Sequence, residues 1–111
     1  MLHVLFVCSQ NRLRSPTAEQ VFASHSGIEV ASAGLNRGAD NLLSPELVEW
    51  ADLIFVMEHV HRNKLSSKFR PYLKGKRIVC LDIPDDYEYL DSVLVRLLKA
   101  KVTHLLPTQE S

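Results

Sequence analysis

Cysteine is scarce in this chain: Cys8 and Cys80 are the only two in 111 residues, and no framework of spaced pairs exists. That excludes a small secreted scaffold held by disulfides. It points instead to a reduced, cytoplasmic compartment where a free thiol can do chemistry. Long apolar runs are missing as well. No stretch approaches the roughly 20 residues needed to cross a bilayer, so no membrane role is expected. The opening Met1-Leu2-His3-Val4 has neither the basic segment nor the apolar block of a secretory leader. Net charge is zero, which argues against binding nucleic acid by neutralising its phosphates. Repeats, low-complexity tracts and linkers are also absent, so residues 1–111 read as a single domain.

Against these absences stands a regular alternation of apolar runs and helix-start signals. Residues 2–7 are near-continuously apolar, as expected of a strand buried on both faces of a parallel sheet. Ser15 suits an N-cap and Pro16 the first helical position; Ala18, Val21 and Phe22 follow at helical spacing, and Gly27 closes the helix. Residues 28–31 read as a second strand, closed by Ser32-Ala33-Gly34, whose small side chains let backbone approach the loop at Cys8. Ser44-Pro45-Glu46 starts a second helix. Residues 53–57 form a third strand, residues 59–69 a basic helix broken at Pro71, and residues 78–81 a fourth strand. Leu90, Leu94, Leu97, Leu98 and Leu105 mark the inner stripe of a terminal helix capped by Asp91, and residues 107–111 read as a frayed tail. Alternating strands and helices predict an α/β fold, a three-layer α/β/α sandwich on a four-stranded parallel sheet. Ligands of such sheets bind beyond the carboxyl ends of the strands, where both Cys8 and the 82–86 loop fall.

Charge is unevenly spread. A basic segment (Arg62, Lys64, Lys68, Arg70, Lys74, Lys76, Arg77) precedes an acidic one (Asp82, Asp85, Asp86, Glu88, Asp91). It reads either as a solvated face with loop caps or as a flank that attracts phosphorylated partners.

The stretch Cys8-Ser9-Gln10-Asn11-Arg12-Leu13-Arg14-Ser15-Pro16 places a cysteine at a strand end and an arginine six residues later, with a helix start behind. Strand, tight loop and helix together present several backbone N–H groups to an anion. An ordinary thiol is only a few per cent thiolate at pH 7; converging N–H groups, a helix N-terminus and a guanidinium all favour the anionic form. Cys8 is therefore a candidate nucleophile rather than a small buried hydrophobe. Arg14 at a helix start opposes the macrodipole unless an anion lies between them, and its fork matches two phosphoryl oxygens. Ser15 can cap the helix and support the thiolate, and Asn11 tolerates the left-handed turn such a loop needs. Ser9, Gln10, Asn11, Arg12, Leu13, Arg14 and Ser15 make up the candidate phosphate-binding loop, with Arg12 facing solvent or the substrate rim.

These residues carry a resemblance. Cys8-x5-Arg14-Ser15, with Asn11 inside the loop and Pro16-Thr17-Ala18-Glu19 after it, is similar to the low-molecular-weight protein tyrosine phosphatase superfamily, and within it to a short branch. The similarity continues through Ser32-Ala33-Gly34, Ala51-Asp52-Leu53-Ile54 with Met57, and Asp82-Ile83-Pro84-Asp85-Asp86-Tyr87. It implies a cysteine-dependent phosphatase hydrolysing phosphomonoesters, protein phosphotyrosine foremost, through a phosphocysteine intermediate and with no metal or other cofactor. It also implies a general acid from a Pro-Asp-Pro-Tyr stretch. Pro84-Asp85-Asp86-Tyr87 places that acid at Asp85, with Asp82 as the alternative. Tyr87 matches a cleft-wall position and Tyr89 is a further candidate; both could instead pack on the terminal helix. Two loop positions depart from the pattern: Gln10 and Leu13 stand where many members carry a glycine and a second cysteine, so the family's loop disulfide has no partner here. The chain is also shorter than the usual family length.

The expected partner is a phosphorylated protein or a small phosphomonoester, and the expected state a monomer or weak dimer. The alternative from another class is a non-catalytic phosphate- or phosphoprotein-binding module. An arsenate reductase-like enzyme would need further cysteines, and only Cys80 is to spare. His59 and His61, with no nearby Cys partner or metal-like Glu arrangement in sequence, read as surface residues, and Cys80 as inert core.

Overall fold

The structure, a computed structural model, describes residues 1–107; the tail expected at residues 107–111 lies, beyond Pro107, outside them. A four-stranded sheet in the order β2-β1-β3-β4 is parallel throughout, formed by β1 (Leu2–Cys8), β2 (Ile28–Gly34), β3 (Leu53–Val56) and β4 (Arg77–Cys80). Helices α1 (Arg14–Phe22), α2 (Pro45–Trp50), α3 (His59–Phe69) and α4 (Ser92–Val102) complete it. The period-2 alternation of strand side chains divides the core in two. Val4, Phe6 and Cys8 face Phe22, Leu94 and Leu98, under α1 and α4. Leu5 and Val7 face Val48 and Leu65, under α2 and α3. The three-layer α/β/α sandwich read from the sequence is the observed fold.

Register sets the site. Cys8 lies opposite Gly34, Val7 opposite Val56, and Val56 opposite Cys80, so all four strands end on one rim. A residue just past any of these ends is delivered to the same place.

Element boundaries differ in instructive ways. Helix α1 begins at Arg14, and its N-cap is Leu13, with no side-chain cap bond. Ser15 is buried at the second helical position, its hydroxyl drawn inward to Cys8, and so does not cap the helix. Pro16 stands third, still within the turn whose N–H groups lack intrahelical acceptors. The helix stops at Phe22; Gly27, at φ +83°, instead makes the turn into β2. Ser32-Ala33-Gly34 extends β2 rather than closing it, pairing with Phe6, Val7 and Cys8. Ser44 and Asp91 do cap α2 and α4: their side chains accept from the N–H groups of Leu47 (3.2 Å) and Val93 (2.8 Å). Leu90 lies outside α4, at φ +59° and 45% exposed. The buried stripe is Leu94, Leu98 and Val102, each four residues apart. Pro71 sits in a short 3₁₀ turn, Arg70–Tyr72, at the end of α3.

Part of the basic segment is structural. Lys64 Nζ donates to Asn36 Oδ1, Lys68 Nζ to the Leu35 carbonyl, and Lys76 Nζ to the carbonyls of Glu49 and Ala51 at the end of α2. Among the described residues no helix is long and apolar enough to cross a membrane.

Candidate active site

The peptide chain folds tightly over Cys8 because a second loop holds its carbonyls. The carbonyls of Cys8, Ser9 and Gln10 accept from the N–H groups of Leu35 (3.0 Å), Asn36 (3.0 Å) and Asp40 (2.9 Å). In a trans peptide the C=O and the following N–H point in opposite directions, so the N–H groups of Ser9, Gln10 and Asn11 are turned the other way. Asn11 N–H reaches Cys8 Sγ at 3.3 Å. Asn11 adopts φ +56°, the left-handed conformation its short polar side chain tolerates. Gly34 leaves room for this packing: a Cβ there would lie 2.7 Å from the Ser9 carbonyl oxygen and 2.6 Å from Ala39 Cβ.

A directed proton network ends at the sulfur. Asn11 Nδ2 donates to both Ser15 Oγ and Ser32 Oγ, each at 2.9 Å, and the Ser32 hydroxyl donates to the Glu19 carboxylate. Ser15 Oγ lies 2.9 Å from Cys8 Sγ, and once the sulfur is a thiolate the hydroxyl is the donor of that bond. Asn11 N–H and Ser15 O–H thus both offer hydrogen to the same sulfur, the arrangement that stabilises a thiolate.

Arg14 is buried (2% exposed) and held along one edge. Its Nη1 donates to Glu58 Oε2 and to the Ile83 carbonyl, both at 2.7 Å. The Nε/Nη2 edge is then the one that can take a bidentate acceptor. Asp85 Oδ1 stands 3.7 Å from Nε. A cavity of about 230 Å³ opens here, lined by Cys8, Ser9, Gln10, Arg12, Leu13, Arg14 and Asp85. A larger hollow of about 580 Å³ lies elsewhere, against Gln20, Ala23, Trp50 and Tyr89, with no cysteine, lysine or arginine in its lining. It offers neither nucleophile nor cation.

Residues 3–49, which carry the loop, α1 and β2, match the family described as low molecular weight phosphotyrosine protein phosphatase. The whole fold matches the low-molecular-weight protein tyrosine phosphatase SP-PTP of Streptococcus pyogenes, 17% identical, with a TM-score of 0.78 over 97% of this chain and 95% of that one. The chain is thus similar to low-molecular-weight protein tyrosine phosphatases in the segment that carries the loop and in its fold. A YwlE mutant from Bacillus subtilis shares the fold at 24% identity and a TM-score of 0.74, over 95% of this chain and 99% of that one. In sequence the chain is 29% identical to a protein-arginine-phosphatase of Bacillus subtilis (strain 168), a match covering 64% of this chain. It spans 65% of that relative's length.

Within this fold the 82–86 loop separates its two acids. Asp85 lines the cavity with Cys8, whereas Asp82 points to His59, at 3.7 Å, over a separate hollow. Arg12 borders the cavity and is tied at its rim, with Nε 3.2 Å from Asp40 Oδ1. Neither tyrosine lines the cavity: Tyr87 packs against the core under α1 and α4, and Tyr89 borders the larger hollow. The chain turns at Leu90, whose N–H donates to Thr17 Oγ1, and this carries Tyr89 away from the cleft.

His61 overturns its reading as a surface residue. It is 1% exposed, because one helical turn folds it back under the loop. Its Nδ1 accepts from the Glu58 N–H at 3.1 Å, which places the ring proton on Nε2, and Nε2–H donates to Ser9 Oγ at 2.8 Å. Burial first, then the Arg14 guanidinium, push its pKa from 6.5 down to about 4, so the ring is neutral at pH 7. The Ser9 hydroxyl, having accepted from His61, keeps its own proton to donate into the cavity. Glu58 was missed altogether. The available signal was its position just past β3, on the rim Cys8 occupies.

Proposed function

We propose that this chain is a cysteine-dependent phosphatase that hydrolyses phosphorylated proteins or small phosphomonoesters, with protein phosphotyrosine the expected substrate class. One observation carries the reading: Cys8 Sγ, two hydrogen-bond donors to it and the open edge of Arg14 converge on a single cavity. The Arg14 Nε/Nη2 edge takes two phosphoryl oxygens, and the loop N–H groups take the rest of the charge. The sulfur attacks phosphorus in line, forming the S–P bond as the P–O bond to the leaving group breaks. Asp85 supplies the proton that the leaving oxygen needs. Asp85 then accepts a proton from the water that attacks the phosphocysteine, and Cys8 departs as the thiolate that Ser15 receives with a hydrogen bond.

The described surroundings of Cys8 suit a reduced cytoplasm, where the thiol stays available. The relative named as an arginine phosphatase makes phosphoarginine the informative comparison substrate. The test is phosphate release from p-nitrophenyl phosphate and from phosphotyrosine and phosphoarginine peptides, with Cys8→Ser as control. Release by the wild type and none by Cys8→Ser is expected. Binding of phosphate without turnover would make the protein a phosphate-recognition module instead.

A further inference from the structure

We propose that His59, Cys80 and Asp82 form a zinc site that clamps the start of the acid loop to α3. His59 is the first residue of α3, Cys80 the last of β4, and Asp82 lies two residues beyond. The shared strand rim brings them together although 20 residues lie between His59 and Cys80 in sequence. Their imidazole nitrogen, sulfur and carboxylate oxygen all lie within 4.8 Å of one another. His59 therefore does have a Cys partner, supplied by the fold rather than by spacing.

The donor set selects the ion. Imidazole, thiolate and carboxylate together suit Zn²⁺, whereas Mg²⁺ and Ca²⁺ take oxygen alone. Zinc–ligand bonds of about 2.0–2.3 Å put tetrahedral ligands roughly 3.5 Å apart. His59 Nε2 and Asp82 Oδ1 already stand 3.7 Å apart. Both side chains are about 70% exposed and free to close the remaining distance to Cys80, at 69% and 72%. Binding displaces the Cys80 thiol proton to solvent and leaves the sulfur as a thiolate on the metal. Three protein ligands leave a fourth position for water. Cys8 is the poorer zinc ligand, because it is buried among hydrogen-bond donors in the cavity that the Arg14 cation also lines.

The consequence is mechanical. Between Asp82 and Asp85 lie Ile83, whose carbonyl holds Arg14 Nη1, and Pro84; Glu58, the N-cap of α3, holds the same nitrogen. An ion joining Asp82 to His59 would tie together the two segments that anchor the arginine. The site itself stands independently of the phosphatase reading.

The test is titration of the full-length protein with Zn²⁺ against a chromophoric chelator, with Co²⁺ as a spectroscopic substitute and circular dichroism to verify folding. One equivalent should bind, and the Co²⁺ form should carry a thiolate-to-cobalt absorption band that Cys80→Ser removes. His59→Ala and Asp82→Asn, both at exposed positions, should each weaken binding at least about tenfold. Cys8→Ser should bind as the wild type does. Zinc should raise the melting temperature of the wild type and not of His59→Ala. The proposal falls if no equivalent binds, if His59→Ala keeps wild-type affinity, or if Cys8→Ser abolishes binding. None of these readouts passes through phosphate release.

Discussion

Two cysteines end two strands of the same sheet, on the same rim, and their surroundings are unlike. Cys8 ends an inner strand, is 3% exposed, and is enclosed by a tight loop whose N–H and O–H groups are directed at it. Cys80 ends an edge strand, is only partly buried, and has an imidazole and a carboxylate beside it. The first environment favours an anion receiving hydrogen bonds; the second favours a sulfur shared with a cation. Residue type and rim position are common to both, so what separates them is place in the sheet. An inner strand has neighbours on each side to brace a loop over its end, and an edge strand has one.

The contrast breaks most sharply at Cys8. Cys8→Ser should lower turnover of p-nitrophenyl phosphate by about 10⁴-fold or more while the protein stays folded. In the wild type, inorganic phosphate should protect Cys8 from alkylation by iodoacetamide and leave the rate at Cys80 unaltered. Equal protection of both thiols, read by mass spectrometry, would erase the distinction. The acid loop gives the next largest effect. Asp85→Asn should cost about 10²–10⁴ in kcat with aryl phosphates, and vanadate should still bind. A loss as large in Asp82→Asn would transfer the role to Asp82.

His61 sharpens the comparison through pH. In the folded protein the ring stays neutral down to about pH 4, whereas the unfolded chain takes up its proton near 6.5. The unfolded state therefore binds more protons within that window, and stability falls as pH drops from about 6.5 to 4. The loss is on the order of 3 kcal/mol. Urea unfolding across that range should reveal the decline, and His61→Asn should flatten it. The smallest expected effect is at Gly34. Gly34→Ala places a methyl group 2.7 Å from the Ser9 carbonyl oxygen, so the loop must shift. About 1–3 kcal/mol of stability should be lost, with reduced kcat in the same variant. A Gly34→Ala protein with wild-type melting and turnover would mean that the 35–40 loop does not brace the phosphate loop.

Much of this was legible in the chain. Residues 2–7 gave the buried strand, Cys8 to Ser15 the loop, and Ser44 and Asp91 two genuine caps, because each of these signals is local. Of the two roles read for Ser15 only the cap fails: a serine before a proline fits a cap equally well as a buried partner, and only the position of the sulfur distinguishes them. Of the two readings open for the tyrosines, Tyr87 takes the one that packs on the core under α1 and α4, and the left-handed turn at Leu90 beside Tyr89 is invisible in composition. Glu58 and His61 could not be placed from spacing alone, since their partners Arg14 and Ser9 lie 44 and 52 residues away.

Short-range signals set the alternating strands and helices and the spacing from Cys8 to Arg14, because backbone propensity and a loop of five intervening residues are local matters. Tertiary structure alone decided which carboxylate meets Arg14, which histidine is buried neutral, and which thiol has an imidazole for a neighbour. Those contacts depend on parallel register, which brings strand ends distant in sequence to one rim, and on the order in which the strands stand side by side.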